Sequence, residues 1–453
     1  MIFPVETVDK ALDIKIPVNT EMAAAIKRWN DLYLDKAEYI KADTKTIGLP
    51  SSIASELARL VTIEMKSEIT TSDKENKLNE YYQVVVDSLR VQTEYAVAMG
   101  GLIMKPYLDD TKISVDFVKG DKFAPVGFTD GKMTSVVFIE QFVDGDNTYT
   151  RLELHELAGT DYYVTNRAFK KGPKDYGKTS FGREIKLSTV EIWKDLDEQV
   201  KLENIEKPLF SYFKMPFANN IDPDSSLGVS VYGKAESLIQ EATEMWNRIN
   251  WEYKAKEVAL DVSEDMLRNG KLPEGKERLF RQYVVDKKGD DSFYNVYSPE
   301  IRDSSHYNGF NKILQRIEFN CGLAYGTLSD VQEVEKTAEE IKASKQRSYA
   351  TVSDIQKSLE QALDQLIYGM YAFSKFYGLG DYRDYEVSFE WDDSIIVDRK
   401  TDAALMLQEL AAGLIKPEYY LMYRYGVKED QAREMLPNLE ATQTDVTEDD
   451  VDA

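Results

Sequence analysis

The chain has 453 residues, of which 43% are hydrophobic, and it carries a formal net charge of −24 at pH 7. This length and apolar content allow two or three domains with buried cores and exclude a disordered chain. The negative charge argues against a groove that holds nucleic acid through a general positive field, and one cysteine with two histidines excludes a disulfide framework and a Cys/His zinc site.

The N-terminal part is predicted to be helical. No basic region precedes an apolar stretch at the N-terminus, and no window approaches ~18 uninterrupted apolar residues, so we expect neither export nor membrane insertion. Apolar residues recur at three- and four-residue spacing in three segments, which is the pattern of helices with one buried side. The predicted helices are 20–41, 51–69 and 77–99.

The middle of the chain changes to a two-residue period. Turn sequences such as Asp130-Gly131 and Ala158-Gly159 separate the alternating segments, which predicts an antiparallel meander. The predicted strands are 112–118, 134–143, 148–157, 161–168, 191–194 and 209–214.

Two further helices, 230–258 and 303–322, enclose an insert. The insert has roughly 45 residues, more than a connection between helices needs, so we expect a small domain there. Within it the sequence predicts a helix at 263–269 and strands at 281–285 and 293–297.

A glycine-marked break and then the longest apolar periodicity of the chain follow. Between 323 and 335, Gly326 permits backbone conformations that a helix does not have. From Lys336 to Tyr377 apolar residues recur at steps of three and four without a proline, which predicts a helix of roughly 60 Å. Such a helix must cross between domains or pack against copies of itself, and periodicity alone favours a coiled coil or a bundle helix.

The C-terminal part is predicted to contain one strand and three short helices. These are the strand 385–391 and the helices 398–412, 416–425 and 428–435. The tail 440–453 is acidic and has no aromatic residue, so we expect it to be disordered.

Several stretches resemble tailed-bacteriophage portal proteins of the SPP1 type. The main one is Gly322-Leu323-Ala324-Tyr325-Gly326-Thr327-Leu328-Ser329, followed by Lys336-Thr337-Ala338-Glu339-Glu340-Ile341 and Ser344-Lys345-Gln346. In the family, a stem helix gives way here to a channel loop and then to a long kinked helix. Glu339 stands where the family usually has a threonine. The loop 215–224 and the segments 393–398 and 407–415 carry weaker similarity.

The resemblance implies an α+β portal fold with an α/β wing, a two-helix stem, a small α/β clip, a long kinked helix and an α-helical C-terminal crown. Its boundaries would be the wing at 1–229, stem helix 1 at 230–259, the clip at 260–302, stem helix 2 at 303–322, the tunnel loop at 323–335, the long helix and returning wing strand at 336–397, the crown at 398–439 and the acidic disordered tail at 440–453.

The resemblance also implies a structural role. The expected assembly is a dodecameric ring at one capsid vertex, through which double-stranded DNA passes during packaging and ejection. The implied partners are the terminase large subunit, a head-tail adaptor, and the major capsid and scaffolding proteins, without a membrane and without a cofactor. The protein would reside in the virion, and in the host cytoplasm during assembly. The alternatives from other classes are a self-associating coiled-coil structural protein and, more weakly, a carboxylate-dependent hydrolase.

Three sets of site residues follow from the resemblance. Hinges are expected at Gly322 and Gly326, with a bend of the long helix at 348–353. The tunnel loop that would face DNA consists of Ser329, Asp330, Val331, Gln332, Glu333, Val334 and Glu335. Cations that would line the channel or, preferably, pair with carboxylates of a neighbouring subunit are Lys312, Arg316, Lys336, Lys342, Lys345 and Arg347.

No catalytic or metal site is predicted. The segment 270–276 fits the first part of a phosphate-binding loop, but Glu277 stands where that loop requires Ser or Thr. His155 lies in a predicted strand near Glu153 and Glu156, and we interpret it as a sheet-surface residue rather than a catalytic base.

Overall fold

A computed structural model describes residues 5–72, 75–175, 181–255, 259–263, 280–283, 294–297, 302–330, 338–391, 399–427 and 429–436. The chain divides into two compact units, Met1–Trp391 and Asp392–Ala453. Both helices and strands are abundant, and the α+β class predicted from the sequence is confirmed. Within the described ranges, no helix combines the length and the apolar character that crossing a membrane requires.

The described residues form ten α-helices. They are α1 Val5–Leu12, α2 Thr20–Tyr33, α3 Leu49–Thr62, α4 Lys77–Met99, α5 Glu236–Ala255, α6 Asp303–Asn320, α7 Ala338–Phe376, α8 Arg399–Ala411, α9 Pro417–Tyr425 and α10 Glu429–Glu434.

The described residues also form fourteen strands. They are β1 Met65–Thr70, β2 Gly101–Asp109, β3 Lys112–Lys119, β4 Phe123–Thr129, β5 Lys132–Asp144, β6 Asn147–Ala158, β7 Asp161–Lys171, β8 Arg183–Ile185, β9 Gln199–Glu203, β10 Ser211–Lys214, β11 Ala259–Ser263, β12 Phe280–Tyr283, β13 Tyr294–Tyr297 and β14 Glu386–Trp391.

The predicted meander is confirmed as the largest sheet that the described residues form. Its strand order is β4-β5-β6-β7-β8, with β9 also paired to β7. Tight turns join consecutive strands: Thr129 faces Lys132 across the Asp130-Gly131 turn, where both turn residues have positive φ. That left-handed backbone is what two-residue hairpins of this twist require, and glycine adopts it at low cost. A smaller sheet has the strand order β10-β2-β3, and its strands β2 and β3 directly precede the meander in the chain.

Three predicted elements near the N-terminal half are wrong in type or length. The predicted helix 51–69 ends at Thr62, and Met65–Thr70 is a strand that pairs with β14. The predicted helix 20–41 ends at Tyr33. The predicted strand 191–194 is a 3-10 turn, Glu191–Trp193, which turns Trp193 into a buried cluster with Leu187 and Val190. For residues 65–70, the long-range pairing with β14 overrides the local helical pattern.

The insert between α5 and α6 is described only in part. Strand β11 pairs in parallel with β12 and antiparallel with β13, so the predicted strands of the insert are present. The predicted helix 263–269 and the segment 270–276 lie outside the described residues, apart from Ser263, which ends β11.

Helix α7 is the spine of the first unit. Its C-terminal half buries an apolar stripe completely, and its hydroxyl and amide side chains bind the neighbouring backbone: Ser358 donates to the carbonyl of Lys214 and Gln365 to that of Pro208, each at 2.5 Å. The residues of the stripe, all at 0% exposure, are Val352, Ile355, Leu359, Leu363, Leu366, Ile367 and Met370.

Candidate functional site

Helices α5 and α6 form an antiparallel hairpin with a fixed register. Near one end, Asn320 donates a side-chain N–H to the carbonyl of Lys234 at 3.2 Å. Halfway along, the ring centroids of Trp246 and Phe310 lie 5.8 Å apart. Because the contacts recur along the whole length, a step of one residue along α6 corresponds to a step of one residue back along α5.

A buried carboxylate closes the other end of the hairpin. The side chain of Glu252 is 5% exposed, and one of its oxygens lies 2.6 Å from Nε2 of His306. Arg302 donates to both oxygens of the same carboxylate, at 3.2 Å each. A buried carboxylate is stable only with such partners, so this cluster holds the helix ends that adjoin the insert together.

The loop after α6 is bound to a second buried carboxylate. Glu318, in the last turn of α6, is 0% exposed. One of its oxygens accepts hydrogen bonds from the backbone N–H groups of Gly326, Leu328 and Ser329, at 3.1, 2.6 and 2.8 Å. Its other oxygen accepts the Ser329 hydroxyl at 2.8 Å. Four donors compensate for removing the carboxylate from water, and they give the loop a defined conformation.

Helix α6 ends in a turn that requires glycine. Gly322 has a φ of +70°, and Leu323 donates its N–H back to the carbonyl of Glu318 at 2.9 Å. A Cβ at position 322 would lie 2.3 Å from Oγ1 of Thr351 on α7. Glycine is therefore needed both for the left-handed backbone and for the close approach of the two helices.

Asn311 binds the loop at its last described residue. Its side-chain oxygen accepts the N–H of Asp330 at 2.8 Å, and its side-chain N–H donates to the Asp330 carbonyl at 3.0 Å. Since Asn311 is also on α6, that helix holds the loop from Gly326 to Asp330 by side-chain contacts alone.

Arg347 of α7 lies between two aromatic rings of the same region. Its guanidinium carbon is 4.5 Å from the ring centroid of Phe319 and 5.4 Å from that of Tyr325. Such cation–π contacts stabilise a partly desolvated guanidinium. One nitrogen, Nη1, is buried and has no hydrogen-bond partner among the described residues. Helix α6, the loop and the part of α7 that carries Arg347 and Thr351 thus form one packed platform at the end of the hairpin.

A separate cavity of 780 Å³ lies in the first unit, between the two sheets and the end of α7. Glu153 is the centre of a buried ionic network on its wall. Lys105 and Arg151 approach one of its oxygens at 2.9 and 3.0 Å, and Nε2 of His155 approaches the other at 2.7 Å. Nδ1 of His155 lies 2.7 Å from the hydroxyl of Tyr162.

Burial and charge set the protonation of this network. Burial alone raises the pKa of Glu153, but Lys105, His155 and Arg151 together bring it well below its usual value, so the carboxylate is ionised. Burial lowers the pKa of His155 from its ordinary 6.5 despite the attraction of Glu153. A neutral His155 with partners at both nitrogens is a structural residue.

The interpretation of His155 as a sheet-surface residue is therefore wrong. Its side chain is buried at 6% exposure, with its ring edge-on to Phe138 at 5.0 Å between centroids. The face of β6 that carries it is covered by a second layer, which the alternating pattern of one strand does not reveal.

The family comparison decides the identity of this architecture. The family model described as "Phage portal protein, SPP1 Gp6-like" matches residues 15–445. The chain belongs to this family. The resemblance inferred from the sequence is confirmed, and with it the coarse role of a structural protein of a phage portal. The chain matches no curated protein.

Two solved structures are similar to this portal-family chain. One is described as the neck of a native GTA particle computed with C12 symmetry, with 10% identity over 83% of this chain and 89% of that chain, and a TM-score of 0.41. The other is described as the neck of an empty GTA particle computed with C6 symmetry, with 12% identity over 93% and 98% of the two chains, and a TM-score of 0.43.

The structure brings only part of the predicted portal site together. Gly322, Gly326, Ser329 and Asp330 lie in the platform, and the side chain of Ser329 is buried against Glu318. Three of the predicted cations are exposed and make no ion pair with any other described residue: Lys312, Arg316 and Lys345. Lys342 lies in α7, and no contact of its side chain is described. The remaining predicted residues lie outside the described ranges: Val331, Gln332, Glu333, Val334, Glu335 and Lys336.

The sequence reasoning missed Glu318 and Asn311, the two side chains that hold the loop. A usable signal existed for Glu318, because it lies between the buried residues Ile317 and Cys321 on the apolar side of α6. An acid within an apolar stripe must find partners, and the adjacent glycine-containing loop offers free N–H groups. Asn311 carries no comparable signal. Within the described ranges no group of carboxylates, histidines or cysteines has the arrangement of a metal site.

Proposed function

We propose that this portal-family protein assembles into a dodecameric ring at one vertex of the capsid and that double-stranded DNA passes along the ring axis during packaging and ejection. The observation that carries the proposal is the succession of parts: a two-helix hairpin, a loop bound to one helix of that hairpin, and a long helix that returns into the core. This order suits a channel wall that supports a loop at its inner surface.

The remaining parts of the chain have roles in the same proposal. Residues 1–229 form the wing, with the returning strand at the end of 336–397, and the hairpin at 230–259 and 303–322 forms the stem. The insert 260–302 is the clip, where the terminase large subunit and later a head-tail adaptor dock. The crown at 398–439 and the acidic tail at 440–453 follow, and the outer surface meets the major capsid and scaffolding proteins.

The burial of α7 favours a portal over a self-associating coiled coil. A coiled coil presents its apolar stripe to another chain. In α7 the stripe from Val352 to Met370 is already buried within the subunit. Apolar surface that is already buried supplies no further driving force for association, so the long helix stabilises the subunit instead of joining subunits.

The loop 323–335 is the part proposed to approach DNA, with Gly322 and Gly326 at its first end. Residues 326–330 are bound to α6, so the stem helix holds this part of the loop in place. The net charge of −24 on every subunit opposes tight phosphate binding, so DNA slides with little hindrance.

Negative-stain microscopy and native mass measurement of the full chain test the proposal. Closed rings with an axial hole and a mass of many subunits support it. A small rod-like oligomer supports the coiled-coil alternative and contradicts the portal assembly. In a second measurement, isolated rings should bind duplex DNA weakly, without sequence preference, at physiological salt. Tight, salt-resistant binding contradicts the loose-channel part of the proposal.

A further inference from the structure

Exposed stripes of the two stem helices carry charges of opposite sign over part of their length. On α5 an exposed stripe contains Glu241 and Glu244. On α6 an exposed stripe contains Lys312 and Arg316 and no acid. Among the described residues, neither cation has a carboxylate partner, and neither glutamate has a cationic partner. The side chain of Glu244 accepts a hydrogen bond from that of Gln240, at 2.8 Å.

The hairpin register places these charges at matching levels. Trp246 and Phe310 are in contact, and the helices are antiparallel. Lys312 lies two residues beyond Phe310 along α6, and Glu244 lies two residues before Trp246 along α5. Six residues beyond Phe310 is Arg316, whose counterpart on α5 is one residue from Glu241, a difference of about 1.5 Å along the axis.

At the next two positions of the α5 stripe, the same register brings no like charge of the α6 stripe to the same level. Arg248, the exposed cation of the α5 stripe, lies at the level of Asn308, which is uncharged. Trp251, on the same stripe, is 69% exposed and lies at the level of Ser305. Tryptophan is enriched at protein interfaces relative to the rest of the surface.

We propose that the α5 stripe of one subunit docks on the α6 stripe of the next, with Glu244 opposite Lys312 and Glu241 opposite Arg316 across the interface. This inference rests on the proposed ring and on a hairpin that runs along the ring axis. Rotation about that axis preserves height, so residues at one level within a subunit meet at the same level between neighbours. A ring joins two different faces of one chain, and that requires complementary faces of this kind.

Charge reversal tests the pairing directly. Two variants of the full chain each reverse one side: Lys312→Glu with Arg316→Glu, and Glu241→Lys with Glu244→Lys. A third variant combines all four substitutions and restores opposite charges. The control, Lys132→Glu with Lys174→Glu, makes the same change in net charge as the first variant at exposed positions of the large sheet, one in β5 and one between β7 and β8. Circular dichroism and thermal unfolding establish that each subunit is folded.

The readout is the subunit concentration at which half of the protein is in rings. Each one-sided reversal should raise it by at least about tenfold, because like charges then face each other at two positions of every interface. The variant with all four substitutions should bring this concentration back to within about threefold of the wild-type value, and the control should leave it unchanged. High salt should reduce all differences.

Other outcomes overturn the inference. Unchanged assembly of both one-sided variants, or no recovery in the combined variant, contradicts the pairing. Rings of Lys312→Glu with Arg316→Glu that form normally but retain less packaged DNA assign these cations to the channel instead. The wild-type arm is independent: if it forms no rings, the proposed function fails, whereas wild-type rings with insensitive variants refute the pairing alone.

Discussion

Glu318 accepts hydrogen bonds from both the backbone N–H and the hydroxyl of Ser329, each at 2.8 Å. The two residues are eleven positions apart, on opposite sides of the α6 terminus. The contact makes the first part of the loop an extension of the helix. In the proposed ring, the stem would therefore determine where the loop enters the channel.

The first prediction concerns this contact. Glu318→Gln removes the charge and turns one acceptor into a donor, so the Ser329 hydroxyl loses the carboxylate oxygen to which it donates. We expect the free energy of unfolding to fall by roughly 1.5–3 kcal/mol, the range for hydrogen bonds to a charged group. Amide hydrogen exchange should accelerate at Gly326, Leu328 and Ser329. Urea denaturation and exchange mass spectrometry measure both effects.

The control for this prediction is Glu206→Gln, the same chemical change at an exposed side chain. It should leave the free energy of unfolding within about 0.5 kcal/mol of the wild type. Equal stability of Glu318→Gln and this control would mean that the loop does not depend on the carboxylate.

The second prediction separates the two requirements for glycine at position 322. Gly378 has a φ of +66°, and a Cβ added there would have no heavy atom within 4 Å, so Gly378→Ala should cost only about 1–2 kcal/mol for the left-handed backbone. Gly322→Ala adds a clash with Thr351 and should cost more. Introducing Thr351→Ala should recover part of the excess. A double-mutant cycle from denaturant curves measures the recovery; additive effects would argue against the contact.

The third prediction is a pH dependence that depends on His155. The unfolded chain binds a proton at this residue near pH 6.5, and the folded chain binds it only at lower pH because burial lowers the pKa. The free energy of unfolding therefore falls as the pH drops below about 6.5, by up to about 1.4 kcal/mol per pH unit from this group. Glu153 contributes in the same direction, but below its ordinary pKa of 4.5.

His155→Gln should reduce the difference in stability between pH 7.5 and 5.5, measured by urea denaturation at each pH. Phe138→Leu is the matched control, because it disturbs the packing against the same ring without removing a titrating group. It should lower stability at both pH values and keep the slope. An unchanged slope in His155→Gln would show that other groups cause the pH dependence.

The helices and the meander could be predicted from the sequence because their patterns are local. Helix α4 and strands β5 to β7 repeat their periods over many residues, and their turns carry the expected glycines. The pairing of β1 with β14 could not be predicted in this way. Met65 faces Trp391 across more than three hundred intervening residues, and six residues of weak alternation give no sign of that partner.

The candidate site was predictable in outline and not in its contacts. Gly322 and Gly326 mark the loop, because a backbone with positive φ favours glycine, and glycines can be read from the sequence. Glu318 and Asn311 look like ordinary polar residues of a helix, and only the folded loop shows what they bind. The sequence gives the wrong burial for His155, because the burial of a strand face depends on the layer that covers it.

The last prediction tests whether α7 stabilises the subunit or joins subunits. Leu359 is 0% exposed in the middle of the helix. Leu359→Ala should lower the free energy of unfolding of the subunit by about 2–5 kcal/mol, since the neighbouring side chains cannot fill the cavity completely. Lys357→Ala, two residues away on the exposed side of the same helix, should cost under about 0.5 kcal/mol.

The measurement has two parts, because a coiled coil and a subunit core respond differently. Denaturant curves at low protein concentration, where the proposed rings would be dissociated, report the stability of the subunit. Native mass spectrometry at high concentration reports the number of subunits in the assembly. If α7 is a core helix, Leu359→Ala lowers subunit stability and leaves the number of subunits unchanged. If α7 joins subunits, the variant changes the assembly while the isolated subunit keeps its stability. That result would favour the coiled-coil alternative over the portal assembly.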